Sequence, residues 1–309
     1  MKIQQSSNAG APHAGAPHAG APHAGAAGTI TVGGDLTVNR LGFGAMRLTG
    51  EGIWGPPPDR DEALRVLRRA VELGVDFIDT ANSYGPHFSE DLIAEALFPY
   101  PDGLVIATKG GLERTGPGEW HPKGDPDYLR RELEGSLRRL RLDRVDLYQL
   151  HRIDPEVPES EQFEALREFI RDGLARHIGL SEVSEEQIKR ARRVVPIVSV
   201  QNRYNLEDRK WESVLDCCTK AGIAFLPWAP LSAGKISEQR AIARVAKRHR
   251  ATPMQVAIAW LLARSPVMLP IPGTSRVSHL EENVAAASLQ LTNDELRELA
   301  SASAASIPD

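Results

Sequence analysis

Cysteine is almost missing from this chain: the adjacent Cys217 and Cys218 are the only two in 309 residues. Neighbouring cysteines rarely bridge, so a disulfide scaffold is not expected and a reducing, cytoplasmic setting is. Neither charge sign dominates, because 37 basic residues face 41 acidic ones for a net charge of -4. No basic field therefore argues for nucleic acid or an anionic membrane as a partner. Long apolar runs are lacking too. The longest, 256–263, is far too short to span a bilayer. The first residues carry no apolar stretch, so no secretory leader is expected. No histidine–cysteine–carboxylate spacing suits a metal site, and no Gly-x-Gly-x-x-Gly follows an early strand.

What is present reads as a tail and one large domain. Residues 1–28 hold three copies of Ala-Pro-His-Ala-Gly and almost no large apolar side chain. Such a segment cannot offset its ordering entropy and is expected to be disordered. The spacing of His13, His18 and His23 matches no common metal site. The domain is expected to run over 29–309. It opens with Thr-Ile-Thr-Val, Gly-Gly-Asp and Leu-Thr-Val, which read as a β-hairpin.

Eight short apolar runs follow, at 41–45, 75–79, 104–108, 145–150, 177–180, 197–201, 223–228 and 267–271. They are continuous rather than alternating, as parallel strands covered on both faces require. Helical periods lie between them, such as Leu129, Leu133, Leu137 and Leu140 on one face. Asp125-Pro126 and Thr252-Pro253 mark helix starts. Ser184/Gln187, Ser278/Glu281 and Thr292/Glu295 have capping-box spacing. Eight strand–helix units closing on themselves predict a (β/α)8 barrel, the TIM-barrel architecture, behind an N-terminal hairpin.

In such a barrel the chemistry sits at the C-terminal ends of the strands. Consecutive strands there deliver Asp79, Lys109 and His151, with Tyr84 a short loop beyond Asp79. Each alone has a plain structural reading: a helix cap, a solvated lysine, a core histidine, a packed loop tyrosine. Placed together they form a proton-donating site. A tyrosine is a reluctant acid with a pKa near 10, and a lysine cation beside it stabilises the phenolate. Asp79 would hold Lys109, and His151 would orient a carbonyl oxygen.

Seven segments then resemble, in order, the signatures of the aldo-keto reductase family. They are Gly-Phe-Gly-Ala-Met (42–46), Phe-Ile-Asp-Thr-Ala-Asn-Ser-Tyr-Gly (77–85), Thr-Lys (108–109), Leu-His (150–151), Ile-Gly-Leu-Ser (178–181), Gln-Asn-Arg-Tyr-Asn (201–205) and Ile-Pro-Gly-Thr (271–274). The resemblance implies an oxidoreductase that reduces aldehydes or ketones with NADPH, NADH being the alternative. Asp79, Tyr84, Lys109 and His151 would be its tetrad. It also implies that Ser181 and Gln201 hold the nicotinamide carboxamide, that Trp228 stacks on the ring, and that Leu231 belongs to the cofactor site. Gly273, Thr274, Arg276, Glu282 and Asn283 match the adenosine end. Three positions depart from the family pattern: Glu182 replaces an asparagine, Gly273 a lysine and His279 an arginine. Arg276 is then the expected partner of a 2′-phosphate, with the helix starting at Ser278 offering its N–H groups.

Met46, Trp54 and Trp120 are expected to line an open pocket for a small carbonyl substrate. The likeness is to bacterial members of broad or unassigned carbonyl specificity, acting as a monomer or weak homo-oligomer. Two rival readings stay open. One is a Schiff-base lyase built on Lys109. The other is a nucleotide-sensing regulatory subunit.

Overall fold

The computed structural model describes residues 21–230 and 240–304, with side chains through residue 301. Leu231, His13 and His18 lie outside the described residues. The hairpin forms as expected, with β1 (Thr29–Val32) and β2 (Leu36–Asn39) paired antiparallel. The packed chain starts before Thr29, however. Residues Ala24–Ala27 make a 3-10 turn, Ala24 is fully buried, and its N–H donates to the Leu73 carbonyl at 2.8 Å. Backbone hydrogen bonds, the buried Ala24 and the His23 ring, whose Nδ1 accepts from Gly25 N–H at 3.1 Å, seat this turn, so a search for large apolar residues could not find it.

The remaining strands are β3 (Phe43–Gly44), β4 (Phe77–Asp79), β5 (Val105–Gly110), β6 (Leu112–Gly116), β7 (Glu119–Pro122), β8 (Val145–Leu150), β9 (Ala175–Ser181), β10 (Ile197–Gln201) and β11 (Ala224–Phe225). The helices are α1 (Arg60–Glu72), α2 (Phe88–Leu97), α3 (Pro126–Leu140), α4 (Glu159–Arg171), α5 (Glu185–Ala191), α6 (Glu212–Ala221), α7 (Arg240–His249), α8 (Pro253–Arg264), α9 (Val277–Ala285) and α10 (Asn293–Ala304). Seven strands form one parallel sheet in the order β11-β10-β9-β8-β5-β4-β3.

The eighth expected strand, 267–271, closes the cylinder without a regular ladder. On one side Phe225 N–H donates to Val267 O at 2.8 Å and Leu269 N–H to Phe225 O at 2.9 Å. On the other, Gly42 N–H donates to Pro270 O at 3.0 Å. Pro270 and Pro272 have no N–H to give, which breaks the ladder. Arg40 reinforces the seam with hydrogen bonds to the carbonyls of Met268, Leu262 and Ser265. The structure is thus the (β/α)8-type barrel expected. Val32, Leu36 and Val38 of the hairpin pack with Phe77, Val105 and Leu147, so the hairpin plugs the lower end.

Helix starts follow local chemistry. Asp125 accepts from Tyr128 N–H, and Thr252 and Ser184 form capping boxes with Gln255 and Gln187. Thr292 and Glu295 do the same. Ser278 does not start its helix. The first helical residue is Val277, and Arg276 sits at the cap position without a side-chain cap.

Candidate active site

The three strand ends expected to meet do meet. β4 pairs in parallel with β5, and β5 with β8, so Asp79, Lys109 and His151 emerge on one rim. Tyr84 is brought back to them by a tight loop. Its N–H donates to Ala81 O at 3.1 Å, and Gly85 follows with a φ of 101°, a left-handed conformation that favours glycine. The result is one hydrogen-bonded cluster. Lys109 Nζ donates to Asp79 Oδ2 at 2.6 Å, to Thr80 O at 2.8 Å and to Tyr84 Oη at 3.1 Å.

An ammonium has three protons and no lone pair, so these bonds saturate it. Tyr84 Oη must accept from Lys109, which leaves its own proton for another acceptor. Lys109 is fully buried and Asp79 only 2% exposed. The second Asp79 oxygen accepts from Gln149 Nε2 at 3.0 Å and Gln201 Nε2 at 2.9 Å. A buried ion pair survives only with this degree of satisfaction. Burial pulls Lys109 toward neutrality, but the Asp79 charge and Tyr84 outweigh it and hold its pKa above the ordinary value. A Schiff-base lysine needs the opposite shift.

Burial dominates at Tyr84 and pushes its pKa above the ordinary phenol value, while Lys109 pulls it down. The phenol is therefore protonated at neutral pH, as a donor requires. Burial, with Lys109, Arg152 and Arg114 adding to it, drives His151 well below its ordinary value. The imidazole is neutral, and its Nδ1 lies 3.3 Å from Ser83 Oγ. The Tyr84 and His151 rings meet edge to face at 5.7 Å between centroids.

A cavity of about 460 Å³ opens over this cluster, lined by Met46, Ile53, Tyr84, Leu112, Trp120, Pro122, His151, Arg152, Ser181, Gln201 and Trp228. Met46 and Trp120 line it as expected. Trp54 does not; its neighbour Ile53 takes that place, and Trp54 packs on Arg114 instead. Trp120 rides on the β6–β7 hairpin. Arg114 positions it, with the guanidinium carbon 3.6 Å from the ring centroid. The same guanidinium donates to the carbonyls of Glu119, Ile53, Ser83, Gly52 and Gly116, tying three loops together.

From this cavity a trough runs to α9. One part, about 450 Å³, is lined by Asp79, Tyr84, Gln201, Trp228 and Gly273, and the next, about 910 Å³, by Thr274, His279, Glu282 and Asn283. Met46, Arg47 and Gly273 line both parts and join them. Its length and its mixed walls fit a dinucleotide. Gly273 is glycine for a steric reason: a Cβ there would press into the Gly44 carbonyl oxygen. Glu282 accepts from Thr252 Oγ1 at 2.6 Å, and Asn283 is buried. Arg276 is exposed and lines neither part of the trough. The first N–H of α9, from Val277, already donates to Glu62 Oε1 at 2.9 Å. The helix end expected to be free for an anion is therefore partly taken by a carboxylate.

Ser181 Oγ accepts from Arg152 Nη1 at 3.0 Å, and Gln201 Nε2 is committed to Asp79. Glu182 has a clear partner. Its Oε1 accepts from Trp228 Nε1 and from Arg203 N–H, both at 2.6 Å. The Glu182 carboxylate thus holds the Trp228 indole in place. No cluster of residues among those described can hold a metal ion, and no helix there is long and apolar enough to cross a membrane.

The comparisons with known proteins agree with this geometry. The model of the aldo/keto reductase family matches residues 40–304. An uncharacterised oxidoreductase of Schizosaccharomyces pombe is 55% identical over 269 residues, 87% of each chain. Pyridoxine 4-dehydrogenase of Escherichia coli is 44% identical over 272 residues, 86% of this chain and 95% of its own. The crystal structure of an aldo-keto reductase from Klebsiella pneumoniae in complex with NADPH superposes with a TM-score of 0.74 at 25% identity, covering 88% of this chain and 93% of its own. With a matched family model across the barrel and relatives of this identity, the chain belongs to the aldo/keto reductase family.

Proposed function

We propose that this protein reduces aldehydes or ketones to alcohols with NADPH, and that Tyr84 is the proton donor. One observation carries the reading: Lys109 donates to Tyr84 Oη at 3.1 Å and is itself saturated, so the phenol proton is free for a substrate oxygen. His151, neutral and beside Tyr84, hydrogen-bonds and orients the carbonyl oxygen. NADPH bound in the trough would supply a hydride from C4 of its nicotinamide to the carbonyl carbon. Tyr84 gives its proton to the oxygen, and the Lys109 charge stabilises the phenolate left behind until solvent reprotonates it. Trp228, held by Glu182, forms the wall for the nicotinamide, with Ser181 and Gln201 beside it. Gly273, Thr274, Glu282 and Asn283 hold the adenosine end. Arg276, exposed at the start of α9, has the reach of a long side chain toward a 2′-phosphate.

The NADPH complex of the Klebsiella pneumoniae relative supports the cofactor. A dehydrogenase name on the Escherichia coli relative fits the same residues run in the alcohol-oxidising direction. Aromatic and aliphatic walls around an open cavity favour broad carbonyl specificity. Our reading of a cytoplasmic protein, monomeric or weakly self-associating and of bacterial type, rests on the sequence; the relatives include a yeast and a bacterial protein. The test is NADPH oxidation with 4-nitrobenzaldehyde, repeated with NADH. Turnover with faster use of NADPH is expected. Tight NADPH binding with no turnover on any aldehyde or ketone would favour a nucleotide sensor instead.

A further inference from the structure

Among the described side chains lining the substrate cavity, Arg152 is the one that stays ionised, since Tyr84 and His151 are held neutral. It is half-buried, and burial strains its charge. A guanidinium in that position normally finds a carboxylate. Arg152 has none at ion-pair distance among the described residues. Its Nη1 donates to the His151 carbonyl at 2.5 Å and to Ser181 Oγ at 3.0 Å, both neutral acceptors.

Glu182 lends Arg152 a favourable charge without reaching it as an ion pair, and the nearby carboxylates hold their hydrogen bonds with other groups. Glu182 Oε1 takes Trp228 Nε1 and Arg203 N–H. Asp154 takes the N–H groups of Gly124 and Glu156, and Glu159 pairs with Arg190. Those acidic residues line an outer groove that Arg152 also borders. The outer side of Arg152 thus faces carboxylates, and its inner side faces the neutral groups of His151 and Ser181 in the cavity.

Resting on the reductase reading above, we infer that Arg152 is the specificity-determining residue of the cavity and that its preferred substrates are carbonyl compounds carrying an anionic oxygen. The carbonyl lies against Tyr84 and His151, and the second, charged oxygen meets the guanidinium. Trp120, Trp228, Leu112 and Ile53 enclose the carbon skeleton between them. Carboxylates and phenolates share this chemistry, because each offers a full negative charge to a planar fork of donors.

The test compares two matched pairs of aldehydes in the parent, Arg152→Lys and Arg152→Met, with NADPH throughout. One pair is 4-carboxybenzaldehyde and its methyl ester; the other is 5-nitrosalicylaldehyde, a phenolate at neutral pH, and 2-methoxy-5-nitrobenzaldehyde. In the parent, kcat/KM for the anionic member should exceed its neutral partner by about tenfold or more in at least one pair, through KM. The pair that responds identifies carboxylate or phenolate. Arg152→Met should bring that ratio close to one, and Arg152→Lys should restore part of it. A parent ratio near one in both pairs would overturn the inference while leaving the reductase reading intact. So would an equal loss on both members in Arg152→Met, which would mean that Arg152 only supports Ser181 and the backbone. Absence of turnover on all four aldehydes would instead defeat the reductase reading itself.

Discussion

Lys109 spends all three of its protons inside the cluster, and that single fact orders the chemistry around it. In reduction Tyr84 gives a proton, so activity is present below its pKa and lost as pH rises through it. Burial sets that pKa high and Lys109 draws it down. Replacing Lys109 by Met should slow the reaction and move the alkaline limb of its kcat profile upward by about one pH unit or more. A limb that stays in place or moves down would contradict the assigned electrostatics. Glu182 acts on the cofactor wall rather than on the proton. Glu182→Ala frees the Trp228 indole and should weaken NADPH binding by roughly threefold to tenfold with little change in kcat, measured by tryptophan-fluorescence titration. Unchanged affinity would show that Trp228 needs no such lock.

Asp79, Lys109 and His151 were legible in the sequence because each closes or follows a continuous apolar run, and such runs mark strand ends; Tyr84, a short loop beyond Asp79, was legible through the family's motif. Arg114 and Arg152 were not. Their roles depend on carbonyls and hydroxyls of loops far apart in sequence, such as Gly52 and Ser83 for Arg114 and Ser181 for Arg152. Glu182 drew notice only as a departure from the family pattern, since its partner Trp228 lies 46 positions on.

At the scale of elements, the weakest join in the barrel is the seam between β3 and the segment 267–271. Prolines there leave few backbone donors, and the two chains approach so closely that glycine is required. A Cβ on Gly44 would stand 2.7 Å from Ile271 O. Gly44→Ala should therefore cost about 1–3 kcal/mol in denaturant unfolding. Equal stability would show that the seam yields more easily than its contacts suggest. The same prolines explain why the eighth strand was visible as an apolar run and yet forms no regular ladder. The start of α9 was misplaced by one residue for a related reason. Ser278 has the spacing of a cap, but Glu62, from α1, takes the Val277 N–H and supplies from afar what a local cap would have given. The β6–β7 hairpin is not visible in the sequence because its polar residues lack strand alternation.

For the whole molecule, the barrel and its helices follow from the eight-fold alternation, and the hairpin closes the end opposite the site. The turn at Ala24–Ala27 adds a piece of the core that composition hid. Removing residues 1–28 should destabilise the protein by about 1–3 kcal/mol relative to removing 1–20, because it strips the buried Ala24 and its bond to Leu73 O. Identical unfolding midpoints would mean that the turn contributes nothing. In the proposed mechanism one phenol, Tyr84, donates the proton in a site that binds NADPH independently of it. The most direct measurement pairs NADPH titration with 4-nitrobenzaldehyde turnover for the parent and Tyr84→Phe. Affinity should stay within about twofold and kcat should fall by at least about a hundredfold in Tyr84→Phe. A Tyr84→Phe protein that turns over as fast as the parent would contradict it.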